Sequence, residues 1–159
     1  MKTFSDLTEQ ELLALAISSE EDDARGYAAF ANALTPTYAA SAKVFMEMSA
    51  EEFVHRDWLT KIYRGKYGDF IPLIRRNEVN GFVKHKPMWT VSQLGIDAMR
   101  KHAEVIELEN ARFYAQAAAQ ATDLKVKDLL LKLAAAEKSH ESLARKLGLE
   151  HVTEGVVVD

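Results

Sequence analysis

A chain of 159 residues, 48% apolar and 28% charged, has the size of one domain and enough apolar content for a substantial core. A net charge of −4 leaves no basic face to neutralise phosphates, and the lack of cysteine excludes disulfides, Fe–S clusters and thiolate chemistry. No apolar run approaches the roughly 20 residues that cross a bilayer, and the N-terminus has no signal-peptide pattern, so a cytoplasmic protein without a nucleic-acid partner is expected.

With only 7 Gly and 3 Pro against abundant Ala, Leu, Glu and Lys, the composition favours helix. The first helix is expected from about Thr8, where Thr8-x-x-Glu11 forms a capping-box pattern, to Leu34, ahead of Thr35-Pro36-Thr37. The second runs from about Tyr38 to Tyr67 and ends at Gly68. The third covers about Val91 to Ala121, and the fourth Asp123 to Leu147, closing at Gly148. Short connections one–two and three–four imply antiparallel hairpins. The segment Asp69 to Thr90, with Ile71-Pro72, Asn80-Gly81 and Lys86-Pro87, is too long for a hairpin and suits a crossover joining parallel helices. The expected fold is therefore an all-α four-helix bundle with a long crossover between helices two and three. Residues 1–147 form its domain and 148–159 a C-terminal tail.

A repeat gives the bundle its chemistry. Glu52-x-x-His55 recurs 85 residues later as Glu137-x-x-His140, and a lone glutamate precedes each pair, Glu20 and Glu107. Tyr27 and Tyr114 each follow their lone glutamate by seven residues. Residues at i, i+3, i+4 and i+7 share a helix face. On that basis Glu20 falls in the apolar line Leu13, Ile17, Ala24, Tyr27, and Glu107 in the line Ile96, Ala103, Ala111, Tyr114. Glu52 and His55 interrupt Phe45, Met48, Leu59 and Ile62, while Glu137 and His140 interrupt Leu130, Leu133, Ala144 and Leu147. Buried carboxylates must be paired or metal-bound, and no Lys or Arg lies in these stripes. Two divalent cations balance four glutamates with both imidazoles neutral. Oxygen and imidazole donors suit iron or manganese, with zinc as a further substitute.

Around this set, Glu104, one turn before Glu107, is a further candidate ligand, with a solvated helix position as the alternative. Tyr27 and Tyr114 are expected beside the metals, hydrogen-bonded to a ligand. Glu21, Asp22, Asp23, Glu51 and Glu109 read as solvated flanks, and His85, His102, His151, Arg75-Arg76 and Lys84-His85-Lys86 as surface. Trp58 and Trp89 are expected at the core edge or an interface.

The stretches Ser19 to Tyr27, Glu51 to His55 and Ala136 to Glu141 resemble the ligand helices of the rubrerythrin branch of the ferritin-like superfamily. That resemblance implies Glu20, Glu52, His55, Glu107, Glu137 and His140 as ligands of two iron ions, with Glu52 and Glu137 bridging. Leu7-Thr8-Glu9-Gln10-Glu11, Ile71 to Arg76, Gly81-Phe82, Lys86-Pro87 and Gly95-Ile96-Asp97 are similar to the soluble domain of membrane-bound ferritins fused to a vacuolar-iron-transporter-like domain. No transporter half is in this chain; if the natural chain continues, a place at the cytosolic face of a membrane is implied. Two departures stand out. The four cysteines of a rubredoxin-like site are lacking, and the position one turn after Glu107, where rubrerythrins carry an extra carboxylate, is Asn110. The resemblance implies a homodimeric oxidoreductase that binds Fe(II) and oxidises it with O2 or H2O2, or, as an enzymatic rival, one that reduces peroxide with electrons from an external donor. The alternative is a non-catalytic iron-binding or sensing module handing iron to a partner such as a membrane iron transporter.

Overall fold

Thr8 accepts from the Glu11 amide while the Glu11 carboxylate accepts from the Thr8 amide, each at 3.1 Å, and this capping box starts α1 (Glu9–Leu34). The computed structural model describes the backbone of residues 2–156 and the side chains of residues 2–140 and 143. The other elements are α2 (Ala39–Tyr67), a one-turn α3 (Met88–Val91), α4 (Ile96–Gln120) and α5 (Leu124–Val156). Gly68, at φ 87°, terminates α2 in a conformation that glycine adopts without steric cost. Among the described residues there is no sheet, only an isolated bridge between Thr3 and Asn80, and no helix is long and apolar enough to cross a membrane.

Two boundaries differ from expectation. The third long helix does not begin at Val91: Ser92 to Gly95 breaks it, because Gly95 takes φ 101°, and α4 starts at Ile96. The fourth does not close at Gly148. The backbone of α5 stays helical through that glycine to Val156, since an isolated Gly lowers helix stability by only about 1 kcal/mol against Ala. The side chains of Ala144, Leu147 and His151 lie outside the described residues.

Short loops fold α1 onto α2 and α4 onto α5 as two hairpins. Three side-chain rungs join the hairpins: Tyr114 to Glu20, Asn110 to Asp23, and Tyr27 to Glu107. Residue numbers rise on one strand of this ladder as they fall on the other, so α1 and α4 are antiparallel. Since α2 also opposes α1, α2 and α4 run parallel, and only a connection spanning the length of the bundle can join them. The crossover, residues 68–87, supplies it. Ser18 Oγ donates to Ile74 O at 2.5 Å, and the Phe4 amide donates to Asn80 O at 3.2 Å.

The core has two apolar clusters. One contains Leu13, Leu15, Leu59, Tyr63, Tyr114 and Leu133; the other contains Tyr27, Phe30, Leu34, Phe45, Met48 and Met99. Between them lies a layer of polar groups, all almost wholly buried: Glu20, Asp23, Glu52, His55, Glu107, Glu137 and His140. Tight packing of α3 on α1 requires Gly26, where an added Cβ would lie 2.0 Å from Met88 Sδ and 2.7 Å from Met88 Cβ. Alanine normally stabilises a helix interior by up to about 1 kcal/mol over glycine. Here the overlap reverses the sign, and Gly26→Ala is expected to destabilise the fold by about 1–3 kcal/mol in urea unfolding; a gain in stability would contradict the packing.

Candidate metal centre

Four helices each turn one glutamate into the polar layer, and α2 and α5 add an imidazole three residues on, on the same face. The donors fall into two groups whose atoms lie within 4.8 Å of one another: Glu20, Glu52, His55 and Glu137 in one, and Glu52, Glu107, Glu137 and His140 in the other. Glu52 and Glu137 belong to both. Each group thus has its own histidine, its own terminal glutamate and two shared carboxylates.

The distances give each imidazole one inward nitrogen. His55 Nδ1 lies 3.6 Å from Glu20 Oε2, 3.6 Å from Glu137 Oε1 and 3.8 Å from Glu52 Oε2. His140 Nδ1 lies 2.8 Å from Glu52 Oε1 and 3.5 Å from Glu107 Oε2. The two rings stack at 5.9 Å. Outward, His140 Nε2 meets the Glu51 carboxylate, and the His55 ring lies 5.3 Å from Trp58. A carboxylate on the outer nitrogen fixes the ring and raises the basicity of the inner one.

One oxygen of each terminal glutamate is already engaged. Tyr114 Oη donates to Glu20 Oε1 and Tyr27 Oη donates to Glu107 Oε1, both at 2.5 Å, so each half of the repeat braces the terminal glutamate of the other. Burial, and then the facing carboxylates, push both phenols well above their ordinary range, so they remain neutral donors. The remaining donor atoms have no hydrogen-bond partner: Glu20 Oε2, Glu107 Oε2, both oxygens of Glu52 and of Glu137, and both inward Nδ1 atoms. Orphaned buried acceptors of this kind are costly, and cations can satisfy them. This donor set of oxygen and imidazole fits two divalent ions.

The rest of the sequence reading divides. Glu104 stands outside both groups, partly exposed and 4.0 Å from Arg100. Glu51 and Asp23 are not simply solvated flanks: Glu51 holds His140, and Asp23 is fully buried. Arg76 is not bare crossover surface, because its guanidinium reaches Asp23 at 2.7 Å. His85 and His102 are not free surface residues either; His85 Nε2 pairs with Glu109 Oε2 at 2.8 Å, and the His102 ring packs on Phe30 and His85. Trp58 is half-buried beneath Lys132, and Trp89 is 62% exposed. Asp23 and Asn110 were legible in principle, since each follows its lone glutamate by three residues and so belongs to the repeat. No local pattern marks Arg76 or Glu51.

Without cations, burial and the neighbouring carboxylates push Glu52 and Glu137 well above the carboxylate range. Burial acts to lower His140, but Glu107 and Glu51 outweigh it and lift the group to about 9. His140 therefore holds a proton at neutral pH that a cation must displace, and the upward shift of Glu52 and Glu137 favours proton binding over the bare carboxylates.

The sequence model of the rubrerythrin family matches residues 11–148. Among solved structures, an uncharacterized conserved protein from Magnetospirillum magnetotacticum MS-1 is similar at 24% identity and a TM-score of 0.64, covering 89% of this chain and 93% of that one. A hypothetical protein from Pyrococcus furiosus is similar at 18% identity and a TM-score of 0.70, covering 92% and 93%. Both share the fold. No curated protein matches the chain.

Two outcomes are expected at this centre. Binding of Mn(II) or Zn(II) at pH 7 releases protons and weakens as pH falls, because displaced protons compete harder in acid. Calorimetry in buffers of different ionisation heat measures the release, and a buffer-independent heat would contradict it. Glu51→Ala, which frees His140 Nε2, should cost about 10–100-fold in cation affinity with little change in folding; unaltered affinity would remove Glu51 from the site.

Proposed function

Since this chain belongs to the rubrerythrin family, we propose that it is a di-iron carboxylate protein that binds Fe(II) and oxidises it with dioxygen or peroxide. The observation that carries this reading is the pair of donor groups sharing Glu52 and Glu137, with eight buried donor atoms left without a hydrogen-bond partner. Two ions held by groups that share Glu52 and Glu137 would lie close enough for one oxidant molecule to meet both. Two ferrous ions supply the two electrons that take dioxygen to hydrogen peroxide, or hydrogen peroxide to water, with two protons consumed in either case.

The residues have separate tasks. His55 and His140 would each hold one ion through Nδ1, and Glu20 and Glu107, braced by Tyr114 and Tyr27, would each hold one through the free carboxylate oxygen. Glu52 and Glu137 neutralise charge on both sides at once. The apolar clusters on either side keep bulk water from the donors and leave the centre a low-dielectric surround. The likeness of the crossover to membrane-bound ferritins supports iron as the metal and iron homeostasis as the setting. A dimer belongs to the same reading, and an external electron donor to sustained peroxide reduction at the same centre.

One observation favours a second reading, in which the chain holds iron and hands it to a partner. The position one turn past Glu107 is an amide, Asn110, committed to Asp23 and Arg76. The carboxylate associated with peroxide chemistry in rubrerythrins is thus replaced.

Aerobic Fe(II) titration separates the two. Oxidation predicts a rapid rise of near-UV absorbance that saturates at two irons per chain and is reduced by at least about 100-fold in rate in Glu20→Ala with Glu107→Ala. Stoichiometric binding with no absorbance rise would leave the carrier reading standing and sink the ferroxidase.

A further inference from the structure

The middle rung of the α1–α4 ladder contains chemistry that metal binding alone does not use. Asp23 is wholly buried, and Asn110 is 3% exposed. Asn110 Nδ2 donates to Asp23 Oδ2 at 2.7 Å. From the crossover, Arg76 Nη2 donates to Asp23 Oδ1 at 2.7 Å and Arg76 Nη1 to Asn110 Oδ1 at 3.2 Å. The triangle is closed, and neither Asp23 nor Asn110 has an unpartnered side-chain atom.

Its location matters more than its strength. Asp23 lies one turn from Glu20, and Asn110 one turn from Glu107, so the triangle abuts both terminal glutamates. Burial pushes Asp23 up to about 6 while Arg76 pulls against that rise, and the charges of Glu107 and Glu20 add to it. The centre and the triangle therefore share one electrostatic environment. Duplication accounts for Asp23 and Asn110, whereas Arg76 stands outside the repeat and has no counterpart in it. As a pair, Arg76 and Asp23 are neutral, and four glutamates remain to face the cations.

We propose that Arg76 is a positioning residue of the metal centre: it sequesters Asp23 from the cations and fixes α1 against α4 one turn beyond Glu20 and Glu107. The inference rests on the reading that the six donors bind cations. Without Arg76, Asp23 becomes a fifth buried carboxylate beside them. Without the Asp23 charge, Arg76 presents an uncompensated cation to them.

This role gives opposite signs for the two partners of one ion pair. An ion pair serving structure alone loses function in the same direction whichever partner is removed. Co(II) titration followed by visible absorption, with folding checked by circular dichroism, reads the difference. Arg76→Met should bind Co(II) roughly tenfold more tightly, with an altered ligand-field spectrum as a carboxylate joins the ion. Asp23→Asn should bind roughly tenfold more weakly, and the double variant should return towards the wild-type spectrum and affinity. Single variants that shift affinity in the same direction, or an Arg76→Met spectrum identical to wild type, overturn the proposal. If Arg76→Met does not fold, Asp23→Asn decides alone, since it keeps the size and most hydrogen bonds of the rung; unchanged or tighter binding there overturns it. Wild-type protein that takes up no Co(II) overturns the metal reading itself, and this inference with it.

Discussion

Four carboxylates in the middle of a helical bundle impose the constraint from which the rest of this structure follows. Glu20, Glu52, Glu107 and Glu137 are each at most 1% exposed, and among the described residues no lysine or arginine is buried with them. Transfer of even one unpaired carboxylate from water to such a place costs several kcal/mol. A metal-free chain can meet part of that cost by keeping protons, and burial shifts Glu52 and Glu137 in that direction. Two divalent cations meet it more completely, since their charge equals that of the four glutamates.

The architecture serves that layer. Each half of the repeat supplies a terminal glutamate, and the tyrosine of the other half braces it, so neither hairpin completes the site alone. These reciprocal bonds set α1 antiparallel to α4 and thereby require the crossover. Apolar clusters on both sides of the layer supply the hydrophobic driving force that the layer itself cannot. The crossover is in turn more than a connection, because it delivers Arg76 to Asp23, an acidic side chain of the layer that stands outside the donor groups.

Much of this was legible because helical periodicity and the repeat act together. The four long helices, the crossover and the apolar stripes through Leu13, Phe45, Ala103 and Leu130 were written in local spacing. The six residues that the repeat singles out are the six whose donor atoms the fold brings together. What spacing could not show were contacts made across the fold. Arg76 looks like any surface arginine until the crossover lies over α1, and Glu51 looks solvated until α5 brings His140 beside it. Glu104 was a candidate by adjacency in sequence, but its face of α4 turns it towards Arg100. The glycines misled in both directions: Gly95 breaks a helix drawn through it, and Gly148 does not end one.

If the centre is dinuclear, its two ions must communicate through Glu52 and Glu137. Electron paramagnetic resonance of the protein titrated anaerobically with Mn(II) tests this most directly. The account predicts that the second equivalent of Mn(II) produces an exchange-coupled spectrum and that the isolated-ion signal is lost. Two equivalents that bind with only isolated-ion spectra, or a titration that saturates at one, would contradict it.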